Sequence, residues 1–254
     1  MHIYTSDYDV VFKADESPLT AADQASHDLI VDKLSRFYPD IPILSEESNE
    51  ISWEERHNWK EYWLIDPLDG TKEFIKKNGE FTVNIALIRH NVPALGVVYA
   101  PEFDVCWYAA EGKGAFRKKG ATGVPQPIKS SSPTGFDSLK IVGSRSHQSD
   151  AITAFLDKFD APELLPMGSS LKLCAIADGT ADIYPRLGLT SEWDTAAAHC
   201  IVAEAGGYIV DDAGYSLVYN NKESILNPHF LVLGGSNGSW RKNVIQWFKE
   251  SNTR

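Results

Sequence analysis

Apolar positions along this chain change period in a way that separates helices from strands. After Ser17-Pro18-Leu19, the residues Ala22, Ala25, Leu29, Ile30, Leu34 and Phe37 recur at helical spacing until Pro39. Thr20 as N-cap with Asp23 three residues on is close to a capping box, so a helix is expected there and capping alone accounts for Asp23. Ile41–Leu44 reads as a strand, and Tyr62-Trp63-Leu64-Ile65 as a buried one, because apolar residues run unbroken between polar segments. Pro67 pushes Asp66 away from the helical region, so this strand is expected to end at Asp66 and turn. Between those strands, Trp53, Glu54, Glu55, Arg56, His57 and Trp59 suggest a helical flap packed by its tryptophans.

Thr82–Arg89, Ala94–Ala100, Asp104–Ala109 and Ala115–Arg117 then follow as strands joined by short turns, with only partial alternation, which suits a sheet covered by helices. The looser stretch Ala121–Gly135 marks a boundary, giving halves 1–135 and 136–254. In the second half, Leu139–Gly143 and Asp182–Arg186 read as strands. Gly168-Ser169-Ser170-Leu171-Lys172 opens a helix, and another runs from Glu192 to its stop at Gly206-Gly207. A strand Phe230–Leu233 leads into a last helix, and the order of elements is α/β.

Composition narrows the function. A formal net charge of −11 argues against a binder of nucleic-acid polymers or anionic membranes, which need a basic stripe. The basic run Arg117-Lys118-Lys119 is short and reads as a solvated turn. Cys106, Cys174 and Cys200 lie far apart with no C-x-x-C pair, which suits core positions in a reducing compartment. With no membrane-length apolar run and no signal-peptide pattern, a cytoplasmic protein is expected. Peripheral contact with the inner membrane and the oligomeric state stay open.

The candidate chemistry centres on Asp66-Pro67-Leu68-Asp69-Gly70-Thr71. Two carboxylates on a stiff loop repel unless a cation lies between them, and oxygen-only ligation suits Mg²⁺. Gly70 and Thr71 would follow with backbone N–H groups and a hydroxyl for a phosphate. An ordinary Pro-Asp-Gly turn after a core strand is the other reading. Farther on, Gly234-Gly235-Ser236-Asn237-Gly238 fits the hydrolase nucleophile elbow, but no Asp or His follows Ser236, so it reads as a plain strand-to-helix turn.

The longer run Tyr62-Trp63-Leu64-Ile65-Asp66-Pro67-Leu68-Asp69-Gly70-Thr71-Lys72-Glu73-Phe74 resembles the signature of the inositol monophosphatase superfamily of metal-dependent, lithium-sensitive phosphatases. With Gly79-Glu80-Phe81-Thr82-Val83-Asn84-Ile85-Ala86 behind it, the stretch is most similar to the 3′(2′),5′-bisphosphate nucleotidases of bacterial sulfate assimilation. Trp193-Asp194-Thr195-Ala196-Ala197, with Glu204-Ala205-Gly206-Gly207 downstream, resembles the superfamily's second signature. The resemblance implies a layered α-β-α-β-α sandwich of the inositol monophosphatase and sugar phosphatase type. It implies two or more Mg²⁺ ions held by Glu46, Asp66, the Leu68 carbonyl, Asp69 and Asp194. A water held by Glu46 and by Thr71 paired with Asp23 would attack phosphorus without a covalent phospho-enzyme.

Nucleotide contacts implied by the resemblance fall on Ser144, His147, Ser169 and Lys172, the lysine meeting the non-scissile 5′-phosphate. Gly70, Thr71 and Lys72 would adjoin the scissile group. The substrate so implied is adenosine 3′,5′-bisphosphate, cleaved to AMP and phosphate, with its 3′-phosphosulfate precursor as a second. A broad inositol- or sugar-phosphate phosphatase and a non-catalytic nucleotide sensor are the alternatives. Family members begin with a further amphipathic helix for which residues 1–15 leave no room. Its absence is expected to affect stability more than chemistry.

Overall fold

The computed structural model describes residues 1–5, 10–12, 18–144, 149–235 and 239–252. The chain opens with a single helical turn, α1 (His2–Thr5), and a short antiparallel pair, β1 (Val10–Phe12) with β2 (Pro18–Thr20). Helix α2 (Ala21–Phe37) starts from a complete capping box on Thr20 and Asp23. Then come β3 (Ile43–Ser45), the single turn α3 (Trp53–Arg56), β4 (Glu61–Asp69) and α4 (Thr71–Ile75). Four strands follow, β5 (Thr82–Arg89), β6 (Val92–Ala100), β7 (Val105–Ala110) and β8 (Ala115–Lys119), with the short β9 (Gln126–Ile128) at the edge. Together β3 to β9 make one seven-stranded sheet in sequence order, antiparallel except for β3 beside β4.

The second half contains β10 (Lys140–Gly143), α5 (Asp150–Leu156), β11 (Glu163–Pro166), α6 (Leu171–Ala177) and β12 (Ile183–Arg186). It continues with α7 (Glu192–Glu204), β13 (Tyr208–Asp211), β14 (Phe230–Leu233) and α8 (Ser239–Asn252). Its strands form a mixed five-stranded sheet in the order β11-β10-β12-β14-β13.

These elements stack as five layers. Helix α2 covers β4 on the outer face of the large sheet, α6 and α7 fill the space between the sheets, and α5 packs with α8 beyond the small one. Tyr62 and Leu64 of β4 belong to the central core with Ala86, Ile88, Val98 and the α7 residues Ala196 to Ala198. Their neighbours Trp63 and Ile65 are buried as well. A strand covered on both faces needs apolar residues at every position, which accounts for the unbroken run.

The structure refines three readings of the sequence. Strand β4 does not stop at Asp66. The backbone bulges between Asp66 and Asp69, where Leu68 N–H bonds Asp66 Oδ1 at 3.0 Å, and pairing resumes at Asp69 opposite Thr82. The apolar stripe of α2 is only partly its buried face: Ala22, Ile30 and Leu34 are half-buried, while Leu29 and Phe37 are 61% and 71% exposed. Asp23, Ser26 and His27 also turn inward; Ser26 Oγ bonds the Pro67 carbonyl at 2.8 Å, and His27 Nδ1 meets Ser45 Oγ at 2.9 Å. Finally, the segment around α3 is held by a buried arginine as well as by its tryptophans, Trp59 packing on the central core and Trp53 lying under the Arg56 guanidinium. Arg56 donates to Asn220 Oδ1 at 2.6 Å and to the Glu223 carbonyl, and its own carbonyl accepts from Asn220 Nδ2 at 2.6 Å. Strands β9, β11 and β13 lack an apolar period long enough to be read from sequence, and the basic run Arg117-Lys118-Lys119 lies within β8.

Helix α7 crosses the large sheet at Gly96, where an added Cβ would stand 2.0 Å from the Ala197 carbonyl oxygen. This glycine sets how deeply α7, and Asp194 on its first turn, sits against the sheet. Gly96→Ala is expected to destabilise the protein by about 1–3 kcal/mol through overpacking, read as a lower denaturation midpoint in urea. An unchanged midpoint would show that α7 is free to shift.

Candidate active site

Three acids converge where the two halves meet. Carboxylate oxygens of Asp66, Asp69 and Asp194 all lie within 4.8 Å of one another. Asp66 sits at the bulge of β4, Asp69 at its end, and Asp194 in the first turn of α7. At an effective dielectric of about 20, each such pair of charges repels by roughly 3–4 kcal/mol, so the protein must hold the acids in place. Among the described residues, its hydrogen bonds to each acid fall on one oxygen. Asp66 Oδ1 accepts from Leu68 N, and Asp194 Oδ2 accepts from Ser191 N at 2.9 Å in a second capping box. Asp69 Oδ2 accepts from Ser169 Oγ at 2.8 Å and from Ser170 N at 2.6 Å.

The other oxygen of Asp66 tests whether a metal fits. Asp66 is 1% exposed and, among the described residues, its Oδ2 has no hydrogen-bond partner. A buried carboxylate oxygen with no protein partner, on a side chain within 4.8 Å of two further carboxylates, fits a hard oxygen-binding cation. Without it, burial first and then the charges of Glu46, Asp69 and Asp194 hold the Asp66 carboxyl well above the usual carboxylate range. Burial, followed by the Asp69 charge, pushes Asp194 up to about 8. Glu46 follows the end of β3, where its N–H bonds the Ile65 carbonyl at 3.1 Å. It lies outside the tight trio but close enough to act on both acids.

Around this trio the sequence-derived residues distribute as follows. Asp23 Oδ2 is held by Thr20 N at 2.8 Å and Thr20 Oγ1 at 2.6 Å, while Oδ1 accepts from Thr71 Oγ1 at 3.1 Å. The Leu68 carbonyl also lies 3.4 Å from Thr71 Oγ1. Gly70 is the N-cap of α4 at φ 92°, a left-handed conformation that glycine adopts without strain. Lys72 is exposed and lines the same polar cleft as Asp69, Ser144, Ser169, Lys172 and Asp194. Lys172 is not a solvated surface lysine. It is 7% exposed, its Nζ donates to the Ser169 carbonyl at 2.7 Å and lies 5.5 Å from the Tyr184 ring centre, and burial lowers its pKa to about 8. Ser169 uses its hydroxyl on Asp69 and Thr82, and His147 lies outside the described residues, as does Ser236.

The structure adds residues that the sequence did not single out. Arg186, at the end of β12, lines the cleft beside Lys172; its Nε is buried with no partner among the described residues, while another of its nitrogens donates to the Leu189 carbonyl at 2.8 Å. Its signal was a cation at a strand end shortly before the Trp-Asp-Thr motif. Beside the cleft and sharing Ser144, Tyr184 and Arg186 with it lies a larger cavity of about 860 Å³, walled mainly by apolar residues such as Ile152, Leu164, Leu165 and Leu189.

This geometry has known counterparts. A model of the inositol monophosphatase family matches residues 4–250. The chain belongs to that family. Within the family, the chain is 48% identical over 234 residues to the 3′(2′),5′-bisphosphate nucleotidase CysQ of Escherichia coli K12, covering 91% of this chain and 92% of the relative. It is 40% identical over 241 residues to CysQ of Haemophilus influenzae, covering 94% of this chain and 88% of that one. The crystal structure of CysQ from Bacteroides thetaiotaomicron, a bacterial member of the family, superposes with a TM-score of 0.79 at 40% identity over 92% of this chain and 90% of that one. The layered α-β-α-β-α arrangement is thus the family's. Among the described residues, no helix is long and apolar enough to cross a membrane.

The raised carboxyls give the metal-free protein a distinct pH dependence. Folded Asp194 keeps its proton up to about 8, whereas the unfolded chain loses it near 3.8, so the folded state binds more protons between those values. Stability therefore falls as pH rises through that window, and the penalty is complete above it. In protein stripped with chelator, Asp194→Asn is expected to flatten this decline and to raise the urea midpoint above about pH 8. A variant with the wild-type slope would show that Asp194 is not a strained acid.

Proposed function

We propose that this chain is a Mg²⁺-dependent 3′(2′),5′-bisphosphate nucleotidase that cleaves adenosine 3′,5′-bisphosphate to AMP and phosphate. The adenosine 3′-phosphate 5′-phosphosulfate precursor is a second substrate of the same shape. Relatives bearing the nucleotidase name support the reaction. The observation that carries the substrate is the apolar cavity opening off the charged cleft. A polyol such as inositol has no apolar face of that kind to bury, whereas a purine does.

Asp66, Asp69, Asp194, Glu46 and the Leu68 carbonyl would hold two or more Mg²⁺ ions, which supply charge neutralisation and a strong water nucleophile at neutral pH. The protein's own groups do the positioning. Thr71 gives its hydroxyl proton to Asp23, which leaves a lone pair on Thr71 Oγ1 to accept a proton from the attacking water. Asp23 is fixed for this task because its other oxygen is taken up by Thr20. Backbone N–H groups of Gly70 and Thr71 receive the scissile phosphate oxygens, with Lys72 at the rim. Lys172 and Arg186, cations recessed beside the acids, receive the second phosphate, and Ser144 adjoins the base.

Phosphate release in Mg²⁺ from adenosine 3′,5′-bisphosphate should exceed that from inositol 1-phosphate by at least about tenfold in kcat/KM. Equal or faster hydrolysis of the inositol ester would overturn the substrate, and activity on neither would favour a sensor. Asp69→Asn should abolish turnover in a folded protein. Lys172→Met should lower kcat/KM for the bisphosphate by about 10- to 100-fold, the loss of a charge-assisted bond, while sparing adenosine 3′-monophosphate. An equal loss on both nucleotides would remove Lys172 from the second-phosphate site.

A further inference from the structure

Ser170 occupies an unusual place among the groups that surround the acids. It is the N-cap residue of α6, yet its side chain makes no capping bond to that helix. It is 1% exposed, and its hydroxyl is turned to three partners instead. Ser170 Oγ lies 2.8 Å from Asp69 Oδ2 and 2.7 Å from the backbone carbonyl of Asp194, and it accepts from Asn84 Nδ2 at 2.9 Å. Asn84 stands opposite Asp66 in the β4/β5 ladder, so the same serine is tied to the neighbourhood of all three acids.

The hydroxyl has one proton and two acceptors. Asn84 decides how they are used: its N–H occupies one lone pair of Ser170 Oγ, which confines the proton to the side facing Asp69 and Asp194. Asp69 Oδ2 keeps its bonds from Ser169 Oγ and Ser170 N when the Ser170 proton turns to the Asp194 carbonyl. Ser169, in the left-handed region at φ 53°, is the residue from which the chain presents both the N–H and the hydroxyl of Ser170 to one carboxylate oxygen. A side chain used only to cap a helix would not need this arrangement.

We propose that Ser170 is a positioning residue of the metal site. It ties Asp69, at the end of a strand in the first half, to the first turn of α7 in the second half, and so keeps the two acids at ligand spacing before an ion binds. The proposal rests on reading these acids as metal ligands. Without Ser170, mutual repulsion would let α7 and the end of β4 relax apart, and binding an ion would first require drawing them together. Groups that orient ligands in this way typically affect metal affinity by about 10- to 100-fold.

The test uses Mn²⁺ as the probe, with free ion counted by electron paramagnetic resonance in the absence of substrate, on wild type, Ser170→Ala and Ser170→Cys. The cysteine keeps the side chain's shape but donates only weakly, so it serves if the alanine variant fails to fold. Expected are a Kd for Mn²⁺ raised about tenfold or more in both variants, a smaller rise in melting temperature on adding the ion, and kcat recovering toward wild type at high Mg²⁺. Variants that bind Mn²⁺ within about twofold of wild type would overturn the proposal, even if they melt lower, because Ser170 would then support only the fold. Wild-type protein that binds no Mn²⁺ is a different result, and it would remove the metal reading along with this one.

Discussion

The structure depends on holding like charges together. Asp66, Asp69 and Asp194 stand within 4.8 Å of one another, an arrangement that water would not tolerate and that a folded chain tolerates only when each carboxylate is tethered. The tethering is economical in kind. Each acid gives one oxygen to the protein, through a bulge amide at Asp66, a serine pair at Asp69 and a helix cap at Asp194. Burial and mutual repulsion, which raise the proton affinity of Asp66 and Asp194, are the same terms that favour a divalent cation there. A cation placed among these acids would relieve the same repulsion that strains the bare trio.

Much of the fold was legible because the large sheet is regular. Strands β5 to β8 carry apolar residues at the spacing a covered sheet requires, and their limits were readable to within a residue or two. The edges were not. Strand β9 is a Gln-Pro-Ile segment and β11 a Glu-Leu-Leu-Pro one, both too short for a period to show, and they exist because a neighbouring strand offers unpaired backbone groups. Helix α2 was legible as a helix, but its inward face was not. Periodicity marks a stripe but does not say what covers it, and here the inward face joins Ala22, Ile30 and Leu34 to the polar Asp23, Ser26 and His27, with Leu29 and Phe37 left outside.

The site divides along a similar line. Asp66, Asp69, Thr71 and Asp194 were legible through the two stretches that resemble the superfamily's signatures, since an acid before a turn or at a helix start also has ordinary uses. Ser170, Asn84, Thr82 and Arg186 do not, since a serine beside a serine or an asparagine within a strand looks the same whether it faces solvent or a carboxylate. Partners separated by many tens of residues become visible only once β5, α6 and α7 are packed together.

Capping and catalysis look like competing explanations for Asp23, and the geometry shows that they need not compete. A carboxylate has two oxygens, and the capping box occupies only Oδ2, which Thr20 binds through both its amide and its hydroxyl. Oδ1 is thereby aimed, at no further conformational cost, toward Thr71. Asp194 repeats the device at the start of α7, with Ser191 holding Oδ2. Because N3 of a capped helix has its side chain folded back over the first turn, an acid placed there is rigid before it meets any ligand. Two helix starts, from different halves of the chain, thus hold pre-aimed carboxylates, one against Thr71 and the other among the three acids, and the stability of each start is bound to the precision with which its acid is placed.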